Sequence, residues 1–369
     1  MFDVVGWDIG GAHLKAAHCA GGRLQRVRQL PTPLWLGLQH LDDAAAAVLD
    51  ALPRAPALHA VTMTGELADL FPDRRRGVCG IADAFAAQLA RRRPNDRLRF
   101  FAGDAGLLPH AEVAAAHRAI ASANWLASAA WCAAAIGDGV LVDIGSTTTD
   151  IVPFAGGRIR AVGSSDAERL ETGELVYLGM LRTPLMALAQ RVPFGGLLRR
   201  PMNECFATTA DVMRVCGELD EATDMLPAAD QGEKSVAASA RRLLRMVAED
   251  LPDAGLARAR ELARWYRARL IDELHGALDE VLQRGAAAPQ APLVAAGIGA
   301  PLVAELAARV RRPLLRWEEL PGMDVATPEA RAWSARCAPA VAVARLAAAQ
   351  ASMEGLPLCI RGNKGDLQP

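Results

Sequence analysis

The sequence is poor in most of the features that announce a function. Its 41 basic residues are met by 42 acidic ones, a formal net charge of −1, so it offers no electrostatic footprint for nucleic acid or an anionic membrane. The seven cysteines show neither a CxxC pair nor Cys/His spacing. That argues against a disulfide framework and a zinc site, and fits reduced thiols in a cytoplasm. The longest apolar stretch, from Trp125 to Ile136, is Ala-rich, broken by Ser128 and too short to span a bilayer. The opening MFDVVGWDIGG has no basic leader and soon meets polar residues, so it reads as a buried strand and not a signal peptide. What is present, 51% apolar and 22% charged residues over 369 positions, suits a soluble globular protein of two domains.

An internal repeat organises the chain. Residues 8–27 read DIGGAHLKAAHCAGGRLQRV and residues 143–162 read DIGSTTTDIVPFAGGRIRAV, eight identities in twenty ungapped positions at a spacing of 135. In each copy an apolar strand (residues 4–9 and 140–144) ends in Asp-Ile-Gly and turns into a second strand. It turns again at Ala-Gly-Gly-Arg into a third, where paired glycines supply the positive φ of a tight hairpin. Common turn chemistry explains the Gly-Gly pairs, but not an aspartate at the matching strand end of both copies. Duplication explains both.

The first turn of each copy is where chemistry is expected. Gly10 and Gly11, and then Gly145, Ser146, Thr147 and Thr148, are small or hydroxylated and let backbone N–H groups approach an anion. Asp8 and Asp143 at the strand ends would repel a bare phosphate, which makes sense with a divalent cation between them. Lys15 in one copy is matched by Asp150 in the other. The lysine suits phosphate charge, and the acid suits metal.

Between the copies, residues 58–64 and 98–102 read as strands ending near the carboxylates Glu66 and Asp104, normal active-site positions in open sheets. Residues 110–136 form a long Ala-rich helical segment containing Asn124, interrupted near Ser122, that would cross between lobes. Residues 169–185, RLETGELVYLGMLRTPL, are the densest polar–aromatic stretch; Arg182 there suits bidentate capture of phosphate. Lys234 and Ser235 open a helical region running to about Gln283, whose Arg-rich face reads as solvated. LVAAGIGAPL (293–302) is a buried strand followed by Gly297 and Gly299 and a helix opened by Pro301, and 338–350 is a last helix.

Two D-x-G turns, a connecting helix and a late G-x-G resemble the actin/hexokinase/Hsp70-like superfamily. More narrowly, WDIGGAHLK (7–15), TMTGEL (62–67), SANWLA (122–127), VDIGSTTTDIV (142–152), TGELVYLGMLRTP (172–184), FATTADVMRV (206–215) and SARRLLRMVAED (239–250) resemble the tetrahydromethanopterin-linked C1-transfer pathway proteins. These are hydantoinase/oxoprolinase relatives whose archaeal members resemble methanofuran-biosynthesis synthases. The resemblance implies an α/β, two-lobed actin-like ATPase fold, a duplicated ribonuclease H-like unit with a central cleft. Residues 1–137, with 328–350 packed back, would make the first lobe; 138–327 the second, with a substrate-binding insertion; and 351–369 a flexible tail.

The same resemblance implies transfer of an aminomethylfuran-methyl group from its diphosphate to the phenol of γ-glutamyltyramine. Lys15, Mg²⁺ on Asp8, Asp143 and Asp150, the turn N–H groups and Arg182 would hold the leaving diphosphate. Glu66 would take the phenol proton, while Asn124, Thr172, Tyr177, Gly297 and Gly299 would meet the substrates. ATP is not expected, the partners are small molecules, and a homo-oligomer is left open. Full-length hydantoinase A proteins are about twice as long, which sets ring-opening of hydantoin or oxoproline aside. The rival is an ATP-dependent kinase or ATPase switch of the same fold.

Overall fold

A computed structural model describes residues 3–252 and 256–352. The chain first lays down β1 (Asp3–Ile9), β2 (His13–Ala20) and β3 (Arg23–Pro31) as an antiparallel meander. Its second turn is made by Gly21 and Gly22 at φ 57° and 78°, a conformation that glycine takes without steric cost. α1 (Gln39–Leu49) leads to β4 (Ala57–Met63), and α2 (Arg74–Arg92) to β5 (Arg97–Phe101) and the short β6 (Leu107–Leu108). The sheet order is β3-β2-β1-β4-β5-β6, with β1, β4 and β5 parallel. Apart from Asp3, β1 and β4 are buried throughout, as strands covered on both faces must be.

α3 (Val113–Ile120) and α4 (Asn124–Ile136) follow, the segments His110–Ile120 and Asn124–Ile136 meeting at 84°. Ser122, at φ 50°, forms the elbow, where the sequence places a break. Among the described residues no single helix is long and apolar enough to cross a membrane.

The second half opens with β7 (Gly139–Ile144), β8 (Thr149–Ala155) and β9 (Arg158–Ile159), then α5 (Asp166–Glu171), β10 (Leu175–Val176) and the small hairpin β11 (Val192–Phe194) and β12 (Leu197–Arg199). α6 (Thr209–Cys216), α7 (Val236–Arg245) and α8 (Ala257–Gln283) form a helical layer before β13 (Leu293–Ala296), α9 (Ala300–Arg309), β14 (Leu314–Arg316), α10 (Pro328–Ser334) and α11 (Ala338–Ser352). The sheet order is β10-β8-β7-β13-β14, with β9 also on β8. With β7, β8, β9, β13 and β14 set against β1 to β5, neighbours and directions agree throughout. Gly156 and Gly157 turn at φ 61° and 73°, and Asp8 faces Lys15 across its hairpin as Asp143 faces Asp150. The repeat in sequence is thus a repeat in space, although β9 is far shorter than β3 and β10 takes the rest of that edge.

Two Ala-rich helices, α4 and α11, join the halves. α11 lies against α4 and so close on β1 that a Cβ on Gly6 would stand 2.0 Å from the Ala340 carbonyl oxygen. The last helix therefore packs back on the first sheet. Residues 353–369, most of the expected tail, lie outside the described residues.

The Arg-rich face of the 235–283 region is exposed at Arg241, Arg245, Arg258, Arg260, Arg264 and Arg269, as expected, and departs from that at Arg242. Arg242 is buried, with its Nε 2.8 Å from Asp211 Oδ1, and Ser239 Oγ donates to the same oxygen at 2.7 Å. Arg214 is buried nearby against Glu221 and Asp224. Burying a guanidinium demands such pairing, and the partners come from α6 and the loop after it. The stretches 206–215 and 239–250 meet in this network, so their residues hold the second half together.

Candidate active site between the two sheets

The two first turns are built alike. Gly10 N donates to His13 O at 3.0 Å, and Gly145 N donates to Thr148 O at 2.8 Å. Both turns open onto one cavity of about 550 Å³. Asp8, Gly10, Gly11, Lys15, Asn124, Asp143, Gly145, Ser146, Thr147, Thr148, Asp150, Tyr177, Arg182 and Gly297 all line it. Residues 135 apart in sequence thus converge because each half contributes the same strand end.

The charges inside are closely matched. Lys15 Nζ donates to Asp8 Oδ2 at 3.1 Å, while Asp8 Oδ1 is buried without a partner among the described residues. Burial works most strongly against the ammonium, but the charge and hydrogen bond of Asp8, with Cys337 and Asp143 adding to them, together hold Lys15 above the ordinary lysine range. Asp143 has the opposite fate: burial pushes its carboxyl up to about 7, with Lys15 only partly offsetting and Asp150 and Asp8 adding to the rise. Asp150 is paired with Arg169 at 2.8 Å, and that buried guanidinium lies 3.9 Å over the Trp125 ring. Asp150 thus already has a cation on Oδ1 while still lining the cavity. Arg182 reaches Thr147 Oγ1 at 3.5 Å from the neighbouring loop.

Gly297 closes this end of the cavity at φ 80°; a Cβ there would stand 2.2 Å from Ile144 O and 2.4 Å from Asp143 Oδ1. Only glycine leaves the Asp143 carboxylate room.

Three expected site residues lie elsewhere. Gly299 does not line the cavity; its Cβ would fall 2.5 Å from Ile144 Cγ2, so it lets α9 pack against β7. Thr172 ends α5 and its hydroxyl donates to Arg169 O at 3.3 Å, a helix-end role. Glu66 sits on the turn after β4, buried and absent from the cavity lining, accepting from Ser122 Oγ at 2.7 Å. Ser122 Oγ is also 2.9 Å from Asp166 Oδ2, which Arg74 contacts at 2.8 Å. One hydroxyl proton cannot serve two carboxylates at once, and burial raises the Glu66 pKa. The chain Glu66–Ser122–Asp166–Arg74 ties the first half to α5 of the second. Asp104 is likewise absent from the cavity lining.

Residues 58–350 match the hydantoinase/oxoprolinase family. The chain belongs to that family. Two curated relatives carry the same name, (4-{4-[2-(γ-L-glutamylamino)ethyl]phenoxymethyl}furan-2-yl)methanamine synthase. The protein of Methanocaldococcus jannaschii is 31% identical over 248 residues, 67% of this chain and 72% of its own. That of Methanococcus vannielii is 39% identical over 107 residues, 29% of this chain and 46% of its own. Among solved structures, nucleotide-free acetone carboxylase aligns with 92% of this chain and 70% of its own at a TM-score of 0.53 and 10% identity. The fold is that of the actin-like ATPases.

This hydantoinase/oxoprolinase member also brings to the cavity residues that its sequence did not single out. His13 lines it, almost fully buried; burial, Lys15 and Arg182 together push its pKa down to about 3, so the ring is neutral. The repeat held a signal for it, because His13 stands at the position of Thr148. Gln29, Trp35, Leu67 and Arg336 line the cavity as well. They come from four separate segments, and nothing local marks them.

Proposed function

We propose that the protein is a synthase that joins a furfuryl-type methyl diphosphate to a phenol, forming an aryl furfuryl ether and releasing diphosphate, as the name of its curated relatives suggests. The observation that carries the reading is the convergence of both anion-accepting turns, Lys15 and Arg182 on one cavity of about 550 Å³. That is room for a diphosphate together with organic groups.

The carbon–oxygen bond to diphosphate breaks with its electron pair leaving on oxygen, and the ring stabilises the positive carbon. The phenol oxygen then forms the new bond and loses its proton. Turn N–H groups, the Lys15 ammonium and Arg182 meet the charge developing on the leaving group. Asp8 is tied to Lys15 and Asp150 to Arg169. Asp143, at about 7, is the lining carboxylate suited to accept the phenol proton near neutral pH.

Among the described residues there is no cluster of three or more His, Cys, Asp or Glu side chains placed to hold a metal. Mg²⁺ commonly needs only one or two carboxylates and completes its shell with substrate phosphate and water. Asp8 Oδ1, which has no partner among the described residues, fits that demand as a single carboxylate and leaves Asp143 free as the base; such an ion would neutralise the leaving diphosphate.

The test is direct. Purified protein with Mg²⁺, 5-(aminomethyl)furan-3-ylmethyl diphosphate and γ-glutamyltyramine should release diphosphate and form the ether without ATP. ADP formation dependent on a small hydroxylated substrate, with no ether, would instead establish a kinase.

A further inference from the structure

The mouth of the cavity carries apolar surface that a folded protein would ordinarily bury. Trp35 is 38% exposed, Leu67 51% and Tyr177 62%, and all three line the cavity. Trp35 lies on the one-turn helix Leu34–Leu36 after β3, Leu67 follows β4, and Tyr177 follows β10 in the other half. Both sides of the cleft thus present an apolar side chain to the same opening. Arg182 joins this collar to the anion turn: its guanidinium lies 5.1 Å from the Trp35 ring centroid and within 3.5 Å of Thr147 Oγ1. A partly exposed indole with a cation over its ring is a platform for a flat ring.

We propose that Trp35, with Leu67 and Tyr177, is a ring-binding subsite that selects ligands in which a flat ring is joined through one methylene to the anion held by the two turns. This rests on the anion-site reading above and adds the residues that recognise the organic part. Arg182 spans both parts: the charge that meets the phosphate also fixes the indole on which the ring lies. A ligand with the anion alone would fill the turns and leave the collar wet. One with the ring would also bury the exposed faces of Trp35 and Tyr177. The free energy for choosing a ring over a small alkyl group therefore comes from the collar, and the turns are indifferent to it.

Titration calorimetry with two probes of equal charge, methyl diphosphate and benzyl diphosphate, separates the two ideas. With Mg²⁺ present and no phenol, the native protein should bind the benzyl ester about tenfold more tightly. Trp35→Ala should lose most of that preference while binding methyl diphosphate as the native protein does, and Trp35→Phe should recover part of it. Tyr177→Ala, at a well-exposed position, should show a smaller loss and guards against a folding defect at Trp35. Equal affinity of the native protein for both esters, or full preference retained in Trp35→Ala, would overturn the subsite. Failure of both esters to bind would overturn the anion site, and the subsite with it.

Discussion

Replacing Asp143 with Asn should make the protein more stable while removing its activity. Asp143 is 9% exposed, and burial, offset only in part by Lys15, lifts its pKa from 3.8 to about 7. A carboxyl with a raised folded-state pKa binds its proton more tightly folded than unfolded. Between about pH 4 and 7 the folded state therefore holds more protons, and stability falls as pH rises through that window. Above pH 7 the full cost is present. The gap between 3.8 and about 7, at about 1.4 kcal/mol per tenfold, amounts to about 4 kcal/mol. Asn has no proton to lose and matches the neutral acid in shape, so Asp143→Asn should avoid that cost. In EDTA the variant should melt near the native temperature at pH 4.5 and about 10 °C above it at pH 8. Turnover, followed as diphosphate release, should fall by two orders of magnitude or more. A melting difference that stays constant from pH 4.5 to 8, or a variant less stable than native at pH 8, would refute the electrostatic account of this site.

Other outcomes follow from the same geometry. Lys15→Ala leaves Asp8 buried without its cation and should cost about 3–5 kcal/mol in urea unfolding; Lys15→Met with Asp8→Asn should recover the stability but not the turnover. Because Glu66 is bonded to Ser122 and absent from the cavity lining, Glu66→Gln should keep near-native kcat across neutral pH; loss of activity with unchanged melting would restore Glu66 as the base. Gly297→Ala forces a Cβ onto Ile144 O and Asp143 and should lower both the melting temperature and the binding of methyl diphosphate, read in one calorimetric series.

The sequence by itself determined the duplication and the two first turns. Asp-Ile-Gly at a strand end and Gly-Gly at a hairpin are dictated locally, by pleat alternation and by positive φ, so a repeat of the letters had to be a repeat of the shape. It also determined the break at Ser122 and the Ala-rich stretches that allow α4 and α11 to pack so closely. Only the tertiary structure decided what Glu66, Asp150 and Arg242 pair with. Those outcomes depend on partners from distant segments: Ser122 at an elbow, Arg169 on α5 and Asp211 on α6. The same holds for the collar. Trp35, Leu67 and Tyr177 are each ordinary apolar residues in their own segments. They become a surface only because two sheets of the same order face one cleft and bring the ends of different strands to its mouth.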